Sequence, residues 1–189
     1  MKRLTVTLIF VVSVAALLAA QSLIARIDGD QLHITAPRLH FLAGDALSRL
    51  RDGTTVKYEL QLVARNDRNG RVLARTQEEF GISYDLWEEK FAVTKLGSSP
   101  KSISHLSAAA AEAWCVDNIT LPVAALGGSQ TLWIRLDYRT DDSATTPESQ
   151  DSGFTLSTLV DIFSRRPRNE QIHGSEEVGP LRLDNLRRR

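Results

Sequence analysis

Between Thr54 and Leu96 the chain alternates apolar and polar residues with a period of two. Val56, Tyr58, Leu60, Leu62 and Ala64 fall on one side, and Lys57, Glu59, Gln61 and Arg65 on the other. Successive side chains take opposite faces only in a strand, so the run predicts one buried face and one wet face. Asn69-Gly70 follows and predicts a tight hairpin turn at positive φ. Val72–Glu78 is then the antiparallel return. Phe80, Ile82, Tyr84 and Leu86 alternate again, with Gly81 marking a bulge or bend. Asp85–Lys90 reverses the chain, and Phe91–Leu96 is the next strand.

The flanks extend this pattern. Gln31–Ala36 alternates briefly within Ile27–Ala36, and Pro37 ends that strand or places it at a sheet edge. Leu42, Ala46, Leu47 and Leu50 share one side of a helix over Ala43–Arg51, closed by Asp52-Gly53. After the loop Gly97–Pro100 the period lengthens. Ile103, Leu106, Ala110, Ala113 and Trp114 predict a helix within Ser102–Asp117, capped by Ser102 or Ser104. Ile119–Leu126 carries Pro122, which predicts an edge strand or an extended connector. Gly127-Gly128 turns the chain into a last strand with Leu132, Ile134, Leu136 and Tyr138 on one face. These elements predict a mainly β domain over 26–139. Its expected form is an antiparallel, immunoglobulin-like β-sandwich of about seven strands. Short helices are expected near Ala43–Arg51 and Ser104–Cys115.

Both ends of the chain depart from that pattern. Lys2 and Arg3 precede an uncharged run, Leu4–Ala25, the layout of an export signal. Ala20-Gln21-Ser22 offers small residues for cleavage, and Leu18-Ala19-Ala20 is a second option. As a helix the run would span about 33 Å against a hydrocarbon core of ~30 Å, so a retained anchor in the inner membrane is the alternative. The domain is expected outside the cytoplasm, in the periplasm, either way. Thr140–Gly153 is acidic, polar and linker-like. Residues 154–164 form an amphipathic helical candidate, docked on the sheet or laid on a membrane or a partner groove. Residues 165–189 are expected to be a disordered basic tail.

Composition narrows the chemistry. With 189 residues and 42% apolar content the chain supports one domain with a core. The formal net charge of zero gives no electrostatic reason for a nucleic-acid partner. The single cysteine, Cys115, excludes an intrachain disulfide and is expected as a small buried hydrophobe. Phosphate-binding loops, nucleophile elbows and His-Glu-x-x-His are absent from the sequence. His33, His40, His105 and His173 match no zinc spacing, and no cofactor is expected. Glu78, Glu79, Asp85, Glu88 and Glu89 gather near the strand turns. Trp87 beside Glu88 and Glu89 suits a sugar- or peptide-binding rim. The candidate partner-binding residues are therefore Trp87, Glu88, Glu89, Phe154, Phe163, Arg165 and Arg166.

One wider likeness emerges from the order of elements. It runs through Phe41-Leu42, Asp45-Ala46-Leu47, Leu50, Asp52-Gly53-Thr54-Thr55-Val56, Ile82-Ser83-Tyr84-Asp85-Leu86, Phe91-Ala92-Val93, the Ser102–Ala110 stretch and Leu132–Tyr138. Over about Leu39 to Arg139 this resembles a group of bacterial exported proteins with a domain of unknown function. The resemblance implies an envelope-facing β domain and supplies no catalytic residues. The expected function is a non-catalytic envelope module that binds another envelope protein. Lipid or amphiphile carriage is one alternative, and hydrolysis by the acids around 78–89 is another.

Overall fold

A computed structural model describes residues 23–97, 99–127, 131–141 and 173–186. Nine strands occur among them: β1 (Ile24–Asp28), β2 (Gln31–Thr35), β3 (Val56–Arg65), β4 (Val72–Asp85), β5 (Lys90–Lys95), β6 (Lys101–Leu106), β7 (Thr120–Pro122), β8 (Thr131–Asp141) and β9 (His173–Arg182). Three short helices accompany them: α1 (Gly44–Arg51), α2 (Ala108–Asp117) and α3 (Leu183–Leu186), with a 3₁₀ turn at Val123–Leu126. Every strand pair is antiparallel. One sheet has the order β6-β5-β4-β3-β8-β9 and the other β1-β2-β7. The fold is mainly β, with the two sheets of a sandwich, as the alternation predicted.

Packing follows the period of two. Val56, Tyr58, Leu60, Leu62 and Ala64 all point inward and are buried. They join Phe80, Ile82, Val93, Ile134 and Leu136 in one core with Leu32 and Ile34 of β2, Leu121 of β7, and α1 and α2. Burying each such leucine or phenylalanine stabilises the fold by about 1.5–3 kcal/mol. The outer face of the larger sheet stays polar, with Gln61 against Gln77 and Arg139 against Glu59.

α1 ends as its sequence suggests. Gly53 has φ +83, its N–H donates to Leu50 O, and Thr54 N–H donates to Arg49 O. That pair of bonds satisfies the helix's last carbonyls, and only glycine takes this φ without strain.

α2 carries one acid into the core. Glu112 is 5% exposed; it accepts from Leu42 N–H at 2.8 Å and meets His40 Nδ1 at 3.1 Å. This ties α2 to the loop before α1. The Tyr58 hydroxyl donates to Phe41 O at 3.2 Å from within the same core. Burial, and then the nearby Glu112 charge, pushes both the Tyr58 phenol and the Cys115 thiol upward. Cys115 has no exposure, as expected of a small buried hydrophobe.

Several expectations are corrected. Asn69 and Gly70 are not at positive φ. The β3–β4 hairpin closes through Asn66 N–H to Arg71 O and Gly70 N–H to Asp67 O, with a bulge beside Arg65. Val72–Glu78 and Phe80–Tyr84 belong to one continuous strand, β4, because Gly81 keeps its register opposite Lys57, and Leu86 falls in the loop beyond it. The helix starts at Ala108, with Ser107 accepting from Ala110 N–H, so neither Ser102 nor Ser104 caps it. Its buried stripe is Ala111, Glu112, Cys115 and Val116; Ala113 faces out. Ser102–Leu106 is strand β6. β2 lies between β1 and β7, so Pro37 ends it and no edge position is involved. Pro122 closes β7, an edge strand as expected.

The boundaries shift too. Ile24 and Ala25 belong to β1, paired with Thr35 and Ile34, so the folded domain begins before residue 26. Thr140 is buried in β8 and so precedes any linker. β9 and α3 occupy part of the stretch expected to be a disordered tail. β9 pairs with β8 from Arg139↔His173 to Thr131↔Arg182, and Leu186 is buried. No helix among the described residues is long and apolar enough to cross a membrane. The apolar run up to Ser22 and residues 154–164 lie outside the described residues.

Candidate functional site

The β4–β5 hairpin ends in a four-residue loop, Leu86–Glu89, between the paired residues Asp85 and Lys90. Asp85 builds the turn. Its Oδ1 accepts from Trp87 N–H at 2.8 Å and Glu88 N–H at 3.1 Å. These two backbone donors hold its carboxyl below the usual carboxylate range, with a smaller contribution from the His105 charge. Glu89 closes the loop at φ +54, a left-handed residue of the kind hairpin loops need. The turn presents Trp87, 97% exposed, and Leu86, 58% exposed. A fixed backbone thus carries a wholly exposed indole, which is rare for so large an apolar side chain.

β6 runs beside this tip. Among the described residues it pairs only with β5, so it is the outer strand of its sheet. Its register against β5 slips between Ile103 and Leu106, leaving Ser104 and His105 together opposite Ala92. That is a bulge, and His105 occupies it at φ +63. A non-glycine residue there is strained, although histidine tolerates the region better than most. Two bonds hold its ring. Nε2 meets Glu88 Oε2 at 2.9 Å and Nδ1 meets Ser104 Oγ at 2.8 Å. A carboxylate can only accept, so Nε2 carries a proton; in the neutral ring Nδ1 then accepts from the Ser104 hydroxyl.

Ser104–His105–Glu88 therefore has the connectivity of a hydrolase triad. Its surroundings differ from those of one. The His105 and Glu88 side chains are 68% and 50% exposed. They lie outside the depression that Glu59, Arg135, Asp137, Arg139 and His173 line on the sheet's outer face. The relay braces the bulge and ties β6 to the tip.

The other acids do not converge on it. Glu78 pairs with Lys95 at 2.9 Å, and Lys95 also donates to Asn118 O. Glu78 and Glu79 are neighbours in one strand and so point to opposite faces. Glu78 and Asp85 sit about 23 Å apart along β4 at ~3.3 Å per residue, far beyond the ~5–9.5 Å a carboxylate pair needs for glycoside hydrolysis. No group of three histidine, cysteine or acid side chains among the described residues is arranged to hold a metal ion.

On the outer face of the larger sheet a polar depression of about 290 Å³ lies over Glu59, Arg135, Asp137, Arg139 and His173. Its charges are spent on each other: Arg139 binds Glu59 at 2.6 Å and Arg135 binds Asp137 at 2.7 Å.

Of the residues singled out from sequence, Trp87, Glu88 and Glu89 meet at one place. Phe154, Phe163, Arg165 and Arg166 lie outside the described residues. His33, His40 and His173 are spread over β2, the α1-proximal loop and β9. The sequence offers Asp85 as a turn acid, Ser104 as a helix cap and His105 as a lone histidine, and does not bring them together at the tip. Asp85-x-Trp87-Glu88 had a legible signal, an aspartate at a strand end able to cap its own turn. Ser102-Ile103-Ser104 alternates like a strand, but Ile103 and Leu106 also fit a helix, and the two periods compete over so short a run.

No family model, no curated protein and no solved structure matches the chain. The functional reading therefore depends on the chain's own chemistry.

Proposed function

We propose that the protein is a non-catalytic module of the bacterial cell envelope that binds another envelope protein through its β6 edge and the Trp87 tip. One observation carries this reading: Trp87 is 97% exposed on a turn pinned by Asp85. Leu86, 58% exposed, is its neighbour in the loop, and Ile103, 37% exposed, is an apolar side chain on β6. An outer strand also offers backbone donors and acceptors to an incoming extended segment, and apolar side chains beside it give that contact its selectivity. The basic start and uncharged run Leu4–Ala25 support export to the periplasm. A carrier of lipids would need room between the sheets. Leu32, Ile34, Leu60, Leu62, Phe80 and Ile134 have no exposure, which favours adaptor over carrier.

A photo-crosslinking amino acid at Leu86 or Ile103, with one at Gln77 on the sheet's outer face as control, tests this in cells. A discrete protein adduct is expected at the first two positions and not at the third. Trp87→Ala should weaken that adduct by roughly thirtyfold, the scale of an interface anchor worth about 2 kcal/mol, with the unfolding midpoint unchanged. Equal labelling at all three positions, or none, sinks the reading.

A further inference from the structure

Beside the polar depression, the outer face of the larger sheet carries a group of arginines. Val63 points outward on β3, yet it is only 2% exposed. Its partners on the two neighbouring strands are Arg75 of β4 and Arg135 of β8, about 10 Å apart at ~4.8 Å per strand. Their stems flank the valine and keep it dry, which leaves the guanidinium heads in water. Arg65 comes two residues later on β3, opposite Trp133, and Arg68 lies over the Trp133 ring at 5.6 Å.

Two of these four heads are neutralised: Arg135 meets Asp137 at 2.7 Å and Arg68 meets Glu177 at 3.4 Å. Arg75 is exposed and meets no acid among the described residues. Arg65 donates from Nη1 to Arg68 O at 3.3 Å, and its Nε–H is buried with no acceptor among the described residues. A buried donor left unpaired costs free energy, so a guanidinium held in this way needs a reason. Planar cations with donors to spare match the oxygens of a phosphate.

Arg135 joins this group to the depression of about 290 Å³, whose wall also holds Glu59, Gln61, Asp137 and Tyr138. There the ion pairs fix the acids without exhausting them. A carboxylate has about four lone-pair sites, and Arg139 and Arg135 take only part of those on Glu59 and Asp137. Gln61 is tethered to Gln77 at 3.4 Å. Fixed acceptors beside a tyrosine ring suit a ligand rich in hydroxyl donors, whereas Glu59 and Asp137 repel a bare anion.

We propose that this face binds a saccharide that carries phosphate. The sugar ring occupies the depression and its hydroxyls donate to Glu59 and Asp137. The phosphate reaches past Arg135 to Arg75 and Arg65. The site is separate from the Trp87 tip and independent of the reading given for it.

Glucose 1-phosphate titrated into the full chain tests this, with glucose and inorganic phosphate as its two halves. Amide NMR shifts should saturate at Gln61, Val63 and Arg135, and each half alone should bind about tenfold more weakly. Arg75→Gln, at an exposed position, should weaken glucose 1-phosphate about tenfold, the scale of one hydrogen bond to a charged group, with the unfolding midpoint unchanged. Asp137→Ala should act with opposite signs: weaker glucose 1-phosphate, and tighter inorganic phosphate because Arg135 is released. Inorganic phosphate binding as tightly as glucose 1-phosphate, a short single-stranded DNA binding more tightly than either, shifts spread evenly over the surface, or no saturation overturns the proposal. Trp87→Ala should change none of these values, so failure here leaves the tip reading standing.

Discussion

The two outer strands of the larger sheet answer one problem in opposite ways. Each carries a bulge of one extra residue. In β9 the extra residue falls at Gly179-Pro180, opposite Trp133; in β6 it falls at Ser104-His105, opposite Ala92. β9 closes its edge. Pro180 has no N–H to offer, and glycines let neighbouring rings cover the backbone. A Cβ at Gly179 would sit 2.6 Å from Trp133 Cδ2, and one at Gly174 would sit 2.7 Å from Tyr138 Cε1. Trp133 is capped in turn by Arg68, whose guanidinium lies 5.6 Å from the ring and whose Nε reaches Glu177 at 3.4 Å. β6 has neither glycine nor proline. It holds a strained histidine in place with exposed side chains, beside an exposed tryptophan. An edge meant only to avoid aggregation is cheaper to build the first way. Strain kept at a surface by exposed side chains is what the proposed contact edge would require.

The sharpest way to break the contrast is at β9. Gly174→Val places atoms inside the Tyr138 ring, which also packs on Phe41 at 5.6 Å. The expected loss is about 3 kcal/mol by urea unfolding, the upper range for overpacking. Adding Tyr138→Ala should cost less than the sum of the two single changes, because the pair is coupled. Strict additivity would show that the ring does not cover the glycine.

A smaller effect is expected at the other bulge. His105→Val puts a branched residue at φ +63 and should cost about 1–2 kcal/mol. His105→Gly relieves that strain while losing the bonds to Glu88 and Ser104, so it should lie within about 1 kcal/mol of the parent. Equal losses for valine and glycine would remove the strain from the account.

The smallest effect is in the tip's response to acid. The Asp85 carboxyl is depressed in the fold by two backbone N–H donors. Its contribution is therefore present above the ordinary carboxylate range and is lost as pH falls toward the depressed value. Protection of the Trp87 and Glu88 amides, taken relative to intrinsic exchange, should fall in acid before the core opens. Asp85→Asn keeps an acceptor and should abolish the pH dependence of that protection. Unchanged pH dependence in this variant would assign the response to Glu88 or His105.

How much of this was legible depended on whether a segment carries its own reason to adopt its shape. β3 did: five alternating apolar residues admit one register, because a slip of one residue would turn every side chain to the wrong face. α1 did also, through Leu42, Ala46 and Leu50 and the closing Gly53. β6 and β9 did not. Each is an outer strand with one neighbour, its residues are largely polar, and β9 reads as a tail because its order comes from β8. Trp87 was visible as an aromatic among acids. Its relation to Ser104 and His105 was not, since a bulge is set by the register between two strands.

Local pattern alone determined that the chain makes paired strands with one dry side, that Cys115 is a buried hydrophobe, and that an uncharged run precedes the domain. Those are properties of neighbours in sequence, fixed by the two-residue period of a strand and the cost of wetting apolar surface. Tertiary structure decided the rest: that β9 completes the sheet, that Glu112 locks α2 to the loop before α1, that Glu88 meets His105, and that α3 meets β1. Each of these joins residues far apart in the chain. The free energy of such a contact depends on where the sheets place its two halves, which no single stretch encodes.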